Sequence, residues 1–189
     1  MKGKTCVVTG ATSGIGKETA VELARAGARV AIVCRTRDRG ERALAEVRQR
    51  SGGDVTLFVA DFASQRAIRA LAARLVATLP RVDVLVNNAG LVMRERVLTE
   101  DGLETTFAVN HIGYFLLARS PSASVRAGAP ARVVNVASRA HRSGTLRFDD
   151  LMGARGFDGW KAYAQSKLAN VVFTYELARR LTGTGVTAN

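Results

Sequence analysis

The chain has 189 residues, which is enough for one domain with a full hydrophobic core and too few for two such domains. Its 47% hydrophobic and 23% charged residues are ordinary for a globular protein, and no apolar stretch approaches the roughly 20 residues that span a bilayer. The net charge of +12 comes from 23 arginines and 5 lysines against 16 acidic residues. Because these cations are scattered and no aromatic residues interleave with them, the charge gives nucleic-acid binding only weak support.

Strand and helix patterns alternate along the chain. Short apolar runs predict strands at Thr5–Thr9, Arg29–Cys34, Val55–Ala60, Val82–Val86 and Arg132–Ala137. Helical spacing of apolar residues predicts helices at Ile15–Ala26, Asp38–Arg50, Ser64–Leu79, Leu103–Ala118 and Lys161–Leu181. This alternation predicts a single α/β domain over residues 1–189, with a doubly wound parallel sheet of Rossmann type between two helical layers.

Several features set expectations about location and assembly. The first strand pattern starts close to Met1, so we expect no signal peptide, and Cys6 and Cys34 lie in apolar runs as small buried residues, which fits a reducing cytoplasm. His111 and His141 have no acidic or cysteine cluster at ligand spacing, so no metal site is predicted. In the stretch from Arg119 to Ser124, Pro121 and three serines predict that the preceding helix stops or is weakened.

A glycine-rich turn connects the first strand to the first helix. Its spacing is G-x-x-x-G-x-G, which differs from the common G-x-G-x-x-G dinucleotide fingerprint, and an ordinary βα turn is the alternative. Glycines let backbone N–H groups approach a phosphate, and the helix N-terminus adds positive potential. The predicted phosphate-binding residues are Gly10, Thr12, Ser13, Gly14, Ile15 and Gly16.

Arg35 ends the second strand, where enzymes that select NAD carry an acidic residue for the ribose hydroxyls. A cation at this position suits the 2′-phosphate of NADP instead, and an arginine offers it two donors. Lys17, Arg37 and Arg39 are further candidates that could add positive charge near the 2′-phosphate. The alternative is one more surface arginine in an arginine-rich chain.

Tyr163 and Lys167 are four residues apart in a predicted helix and therefore share one face. An ordinary tyrosine hydroxyl, with a pKa of about 10, is a weak acid and a weak base at neutral pH, but a nearby ammonium stabilises the phenolate. Such a pair can give a proton to a carbonyl oxygen or remove one from an alcohol. Ser138, after the fifth strand, is placed to hold the same oxygen.

These motifs, taken in order, resemble the short-chain dehydrogenase/reductase family over nearly the whole chain. Thr99–Glu104, Val109–Gly113 and Lys161–Asn170 are similar to its retinol dehydrogenase-like branch. The resemblance implies an NADP(H)-dependent oxidoreductase with the catalytic set Asn110, Ser138, Tyr163 and Lys167. It further implies that Lys167 binds the nicotinamide ribose, that Asn110 supports a water-linked proton path, and that the adenosine is bordered by Asp61, Asn87, Ala89 and Gly90.

The sequence departs from the family pattern in two places. The last residues, Val186–Asn189, predict the start of a sixth strand, whereas relatives continue with a Pro-Gly turn, a helical lid and a last strand. We therefore expect a sheet without its final edge and a substrate pocket without one wall. In relatives, the helix that corresponds to Arg119–Gly128 is apolar and contributes to the pairing of subunits. Pro121 and the serines of this chain remove that apolar surface, so a family-type homo-oligomer is possible but not favoured by the sequence.

Three functional hypotheses follow. The first is an NADP(H)-dependent reductase or dehydrogenase acting on an apolar carbonyl/alcohol pair, a small-molecule substrate. The second is a truncated dinucleotide-binding domain without activity. The third, a nucleic-acid-binding protein, rests on charge alone and would require binding that weakens steeply with salt.

Overall fold

A computed structural model describes residues 1–119 and 122–189 as a six-stranded sheet with helices on both faces. The strands, all parallel, are β1 Thr5–Thr9, β2 Arg29–Cys34, β3 Val55–Val59, β4 Val84–Asn87, β5 Ala131–Asn135 and β6 Val186–Ala188. Their order across the sheet is β3-β2-β1-β4-β5-β6. The chain reverses its winding direction between β1 and β4, and a doubly wound sheet binds its ligands at the carboxyl ends of the strands flanking such a point.

The α-helices that connect these strands are α1 Gly14–Arg25, α2 Arg37–Ser51, α3 Gln65–Thr78, α4 Thr105–Phe107, α5 Gly113–Arg119, α6 Ser122–Ala127 and α7 Gly159–Arg180. A π-helical turn, Ala108–Ile112, joins α4 to α5, and a 3₁₀ helix, Arg139–Ser143, follows β5. Among the described helices, none combines the length and the apolar character needed to cross a membrane.

Each face of the sheet carries its own hydrophobic core because side chains alternate along a strand. Val7 of β1 faces the layer that contains Leu75 and Leu117, whereas its neighbours Cys6 and Val8 face the layer of Val21. Both cysteines are free and buried, and burial raises the pKa of each thiol to about 11. The three-layer Rossmann architecture expected from the sequence is confirmed.

One predicted helix is divided in the structure. The pattern at Leu103–Ala118 predicts continuous α-helix, but α4 begins only at Thr105, where Glu104 accepts hydrogen bonds from two backbone N–H groups, and the π-helical turn separates it from α5. α5 ends at Arg119, and Ser120 and Pro121, on which the prediction of a helix stop rests, lie outside the described residues. Helical structure is present again in α6, whose Val125 is buried in the core.

Candidate active site

The turn after β1 is packed so closely that two of its positions admit only glycine. Gly10 has a φ of +69°, and a Cβ there would lie 2.7 Å from the Cα of Ala89. A Cβ on Gly16 would lie 2.5 Å from the Gly10 carbonyl oxygen. Gly14, the first residue of α1, has a φ of +56° and open space where a side chain would project. The N-terminus of α1 is therefore accessible to an anion.

Asn88 connects this turn to the end of β4, and sequence reasoning missed it as a site residue. Its Nδ2 donates to the carbonyl oxygens of Thr9 at 3.0 Å and Gly10 at 3.3 Å. In return, Thr9 Oγ1 accepts from the backbone N–H groups of Asn88 at 2.9 Å and Ala89 at 3.0 Å. The sequence feature that could have identified Asn88 is its position as a second asparagine directly after the fourth strand, which ends beside the glycine-rich turn.

Asn87 and Asp61, both predicted to border the adenosine, occupy different environments. Asn87 is fully buried as the last residue of β4, and its Nδ2 donates to Asn135 Oδ1 at 2.8 Å. Asp61 is exposed after β3, and its Oδ1 accepts from the Ala63 backbone N–H at 2.9 Å. Asp61 lies at the cleft described next, whereas the Asn87 side chain is held within the sheet.

A cleft of about 310 Å³ lies at the carboxyl ends of the central strands. It is lined by many of the predicted cofactor residues, namely Gly10, Thr12, Ser13, Arg35, Asp61, Ala89 and Gly90. Arg39 lies beside Arg35 in the lining, whereas Lys17 pairs with Glu46 at 2.7 Å. The cleft thus brings the predicted phosphate-binding turn and two arginines together, which fits a phosphorylated dinucleotide.

Lys167 is the buried cation of the site. Its side chain is almost enclosed, with 4% of the residue exposed, and Nζ donates to the Val136 carbonyl oxygen at 2.9 Å. Burial lowers the pKa of Lys167 to about 8. Nζ lies 5.7 Å from the ring centre of Tyr163 and 5.6 Å from that of Tyr114. The predicted pair of Tyr163 and Lys167 is therefore together in space.

The π-helical turn presents Asn110 to this pair. Asn110 Oδ1 accepts from the Leu91 backbone N–H at 2.8 Å, and its Nδ2 donates to the Leu91 carbonyl oxygen and to Ser166 Oγ. Ser166 Oγ in turn donates to the Tyr163 carbonyl oxygen at 2.7 Å. A Cβ on Gly90 would lie 3.3 Å from Asn110 Oδ1 and 3.6 Å from Lys167 Nζ. Gly90 thus connects the cleft to the buried cation.

Ser138 is the N-cap residue of the 3₁₀ helix after β5, and its Oγ accepts from the Ala140 backbone N–H at 3.2 Å. The end of that helix packs closely against α7. A Cβ on Gly144, the residue that follows the helix, would lie 2.6 Å from the Ala164 carbonyl oxygen of α7. Among the residues that the structure describes, the Ser138 hydroxyl has no acceptor for its own hydrogen, so it can donate that hydrogen to a ligand.

The family model of the short-chain dehydrogenases matches residues 4–189 of the chain. The chain belongs to this family. Its match to mouse retinol dehydrogenase 12 is 49% identical and covers 98% of the chain and 59% of the relative. Human retinol dehydrogenase 13 is 46% identical over 99% of the chain and 57% of its own length. The chain therefore spans about three fifths of these curated relatives, and the likeness to retinol dehydrogenases confirms the branch expected from the sequence.

Solved structures agree with this assignment. An uncharacterized protein from Mycobacterium paratuberculosis superposes with a TM-score of 0.86 at 38% identity, covering 100% of the chain and 66% of that structure. Pseudomonas aeruginosa RhlG, in an active-site complex with NADP, has a TM-score of 0.80 at 30% identity, covering 98% and 70%. A metagenomic short-chain oxidoreductase in complex with NADP has a TM-score of 0.81 at 26% identity, covering 100% and 81%. These neighbours support a nicotinamide dinucleotide as the cofactor.

Proposed function

We propose that this chain carries the cofactor-binding and proton-transfer machinery of an NADP(H)-dependent oxidoreductase that interconverts an apolar aldehyde or ketone and its alcohol. The observation that carries the proposal is that Tyr163 and Lys167 share one face of α7, with Lys167 Nζ next to Gly90, which lines the cleft. The similarity to retinol dehydrogenases supports the apolar substrate. A cytoplasmic location and the oligomeric state stay predictions.

The residues of the cleft would hold the cofactor in a definite order. The N-terminus of α1 and the turn from Gly10 to Gly16 take the pyrophosphate, and Arg35 with Arg39 takes the 2′-phosphate. Asp61 borders the adenine, and Gly90 and Lys167 lie at the nicotinamide end. When bound, the cofactor supplies or accepts the hydride at the substrate carbon.

The chain's own side chains manage the proton. In reduction, Tyr163 donates its hydroxyl proton to the carbonyl oxygen, and in oxidation its phenolate takes the proton from the alcohol. The Lys167 ammonium stabilises that phenolate from the buried side. Ser138 donates to the substrate oxygen and fixes its position. Asn110 acts on the same helix face by holding Ser166, which bonds the Tyr163 carbonyl.

The purified chain, NADPH and a panel of aldehydes and ketones test the proposal. We expect loss of the absorbance of the reduced nicotinamide with apolar carbonyl compounds, and slower loss with NADH at equal concentration. A folded chain that binds NADPH by calorimetry without any turnover would contradict the enzyme proposal and support an inactive dinucleotide-binding domain instead.

A further inference from the structure

The chain contains a single tryptophan, Trp160, and its side chain is unusually exposed for its type. It lies in the first turn of α7 with 60% of its surface accessible to solvent. An indole carries a large apolar area, and leaving that area in water forgoes the stabilisation that burial would give. An exposed indole directly beside a reactive group is therefore a candidate contact for a ligand.

Trp160 lies on the same face of α7 as Tyr163 and Lys167, at the end of that face that is exposed to solvent. Trp160, Tyr163 and Lys167 are spaced three and four residues apart, so the three side chains follow one face of the helix. The rings of Trp160 and Tyr163 are 5.5 Å apart between centroids, with 33° between their planes, which is within the range of aromatic pairs. Exposure increases along this face, from 4% at Lys167 to 60% at Trp160.

The two ends of this face have different surroundings. Lys167 lies at the cleft end, because its Nζ is 3.6 Å from where a Cβ on Gly90 would lie. Trp160 lies at the opposite end, where the adjoining Gly159 packs directly against the Met93 carbonyl oxygen. Along this face, Tyr163 therefore lies between Lys167, which is next to the cleft, and the exposed indole of Trp160.

From this arrangement we infer that Trp160 is the specificity-determining residue against which the non-reacting, apolar part of the substrate packs. The inference rests on the proposed function and refines it. Substrates with an extended or planar apolar group bury the indole while their carbonyl bonds Tyr163, whereas very short carbonyl compounds reach Tyr163 without touching Trp160. The chain should thus favour long aldehydes over short ones through this one side chain.

Binding can be tested without turnover, because fluorescence of the chain's only tryptophan reports on Trp160 alone. In the presence of NADP⁺, which cannot reduce an aldehyde, we titrate the wild-type chain with decanal and with propanal. Decanal should move the emission to shorter wavelength in a saturable way as water leaves the indole, and propanal should not. An emission that decanal leaves unchanged would overturn the inference, whether or not the chain turns over.

Kinetics supply the second arm. Trp160→Ala should lower kcat/KM for decanal about tenfold with NADPH, a ratio typical of losing an aromatic contact, and should lower it less than about twofold for propanal. Trp160→Phe should retain most of the decanal activity. Tyr175→Ala, which removes an exposed aromatic ring about 22 Å further along the same helix, is the matched control.

The outcomes separate the two proposals. Equal losses of decanal and propanal activity in Trp160→Ala would show a structural role and overturn the inference while the enzyme proposal stands. Absence of turnover in the wild-type chain would contradict the enzyme proposal for this chain, and the emission of Trp160 then decides the inference by itself.

Discussion

At the scale of single residues, Tyr163 and Tyr175 provide a direct comparison because both project from α7. The ring of Tyr163 lies 5.7 Å from the buried Lys167 ammonium, whereas Tyr175 is 76% exposed. We expect Tyr163→Phe to reduce kcat by about 10²–10⁴-fold, because general acid catalysis contributes that much. NADPH affinity measured by calorimetry should stay within about threefold of wild type. Tyr175→Phe should change neither, and comparable losses in both variants would contradict the role of Tyr163.

We expect Arg35 to decide the preference for NADPH over NADH. It lines the cleft at the end of β2, whereas Arg42 is exposed on α2 and does not line the cleft. Arg35→Glu should weaken NADPH binding at least about tenfold and NADH binding far less, because only NADPH carries the 2′-phosphate that the guanidinium binds. Arg42→Glu makes the same charge change and should leave the NADPH-to-NADH affinity ratio unaltered. If both variants lower NADPH affinity equally, Arg35 contributes only to the general positive field.

The sequence identified residue types at this scale better than it identified where their side chains point. Asn87 and Asn88 are adjacent asparagines after an apolar run, and only the first was assigned to the site. Because side chains alternate along a strand, the last residue of β4 turns its amide to Asn135, while Asn88 reaches the glycine-rich turn. That choice depends on where β4 ends, and strand ends are the least certain part of a sequence pattern.

At the scale of elements, the π-helical turn determines how Asn110 meets the face of α7 that carries Tyr163 and Lys167. Asn170 Nδ2 donates to the Asn110 carbonyl oxygen at 2.9 Å, and its Oδ1 is 3.0 Å from Nδ1 of His111. Asn170 is fully buried, so these bonds are shielded from water. The sequence predicted a continuous α-helix here because one π-helical turn leaves the apolar spacing on either side nearly intact. The partner that stabilises the turn lies on α7, sixty residues away in the chain.

Asn170→Ala therefore removes the partner of the buried Asn110 carbonyl oxygen and of the half-buried His111 side chain at once. We expect the free energy of unfolding, measured in urea, to fall by about 1–3 kcal/mol, the usual cost of leaving buried groups unpaired. Since the turn also positions Asn110, kcat should fall more than KM rises. Glu176→Ala on the same helix removes ion pairs with Arg179 and Arg180 at the surface and should leave the unfolding midpoint nearly unchanged. Equal midpoints for the two variants would show that Asn170 does not stabilise the turn.

At the scale of the whole molecule, the cleft and the carboxylate that links β1 to β4 lie at opposite ends of the strands. The carboxyl ends of β1 and β4 carry Gly10 and Asn88, while their amino ends are joined by Asp83. Asp83 Oδ2 accepts from the Thr5 backbone N–H at 2.9 Å, and Oδ1 accepts from Lys4 and Arg81 at 2.8 and 2.7 Å. The sequence predicted the parallel sheet but could not single out this carboxylate, because Lys4 and Thr5 reach it only when β1 and β4 pair.

The contribution of the Asp83 carboxylate to the free energy of unfolding should depend on pH. Burial alone would raise the pKa of Asp83, but the hydrogen bonds from Arg81, Lys4 and Thr5 outweigh it and lower the pKa to about 2, below its ordinary value of 3.8. The stability it contributes is therefore present above about pH 4 and lost as the pH falls toward 2. Its size is up to about 2 kcal/mol by linkage.

Asp83→Asn tests the stabilisation by the Asp83 carboxylate without changing the candidate active site. The variant should unfold at lower urea concentration than wild type at pH 7, and the difference should shrink steadily between pH 4 and pH 2, because protonation then removes the same charge from the wild type. NADPH affinity should be unchanged, since the cleft lies at the opposite ends of the strands. Asp54→Asn, at an exposed carboxylate 3.6 Å from Arg29, is the matched control and should show no such convergence. A constant difference between Asp83→Asn and wild type across this range would mean that Asp83 stabilises the sheet through its shape rather than through its charge.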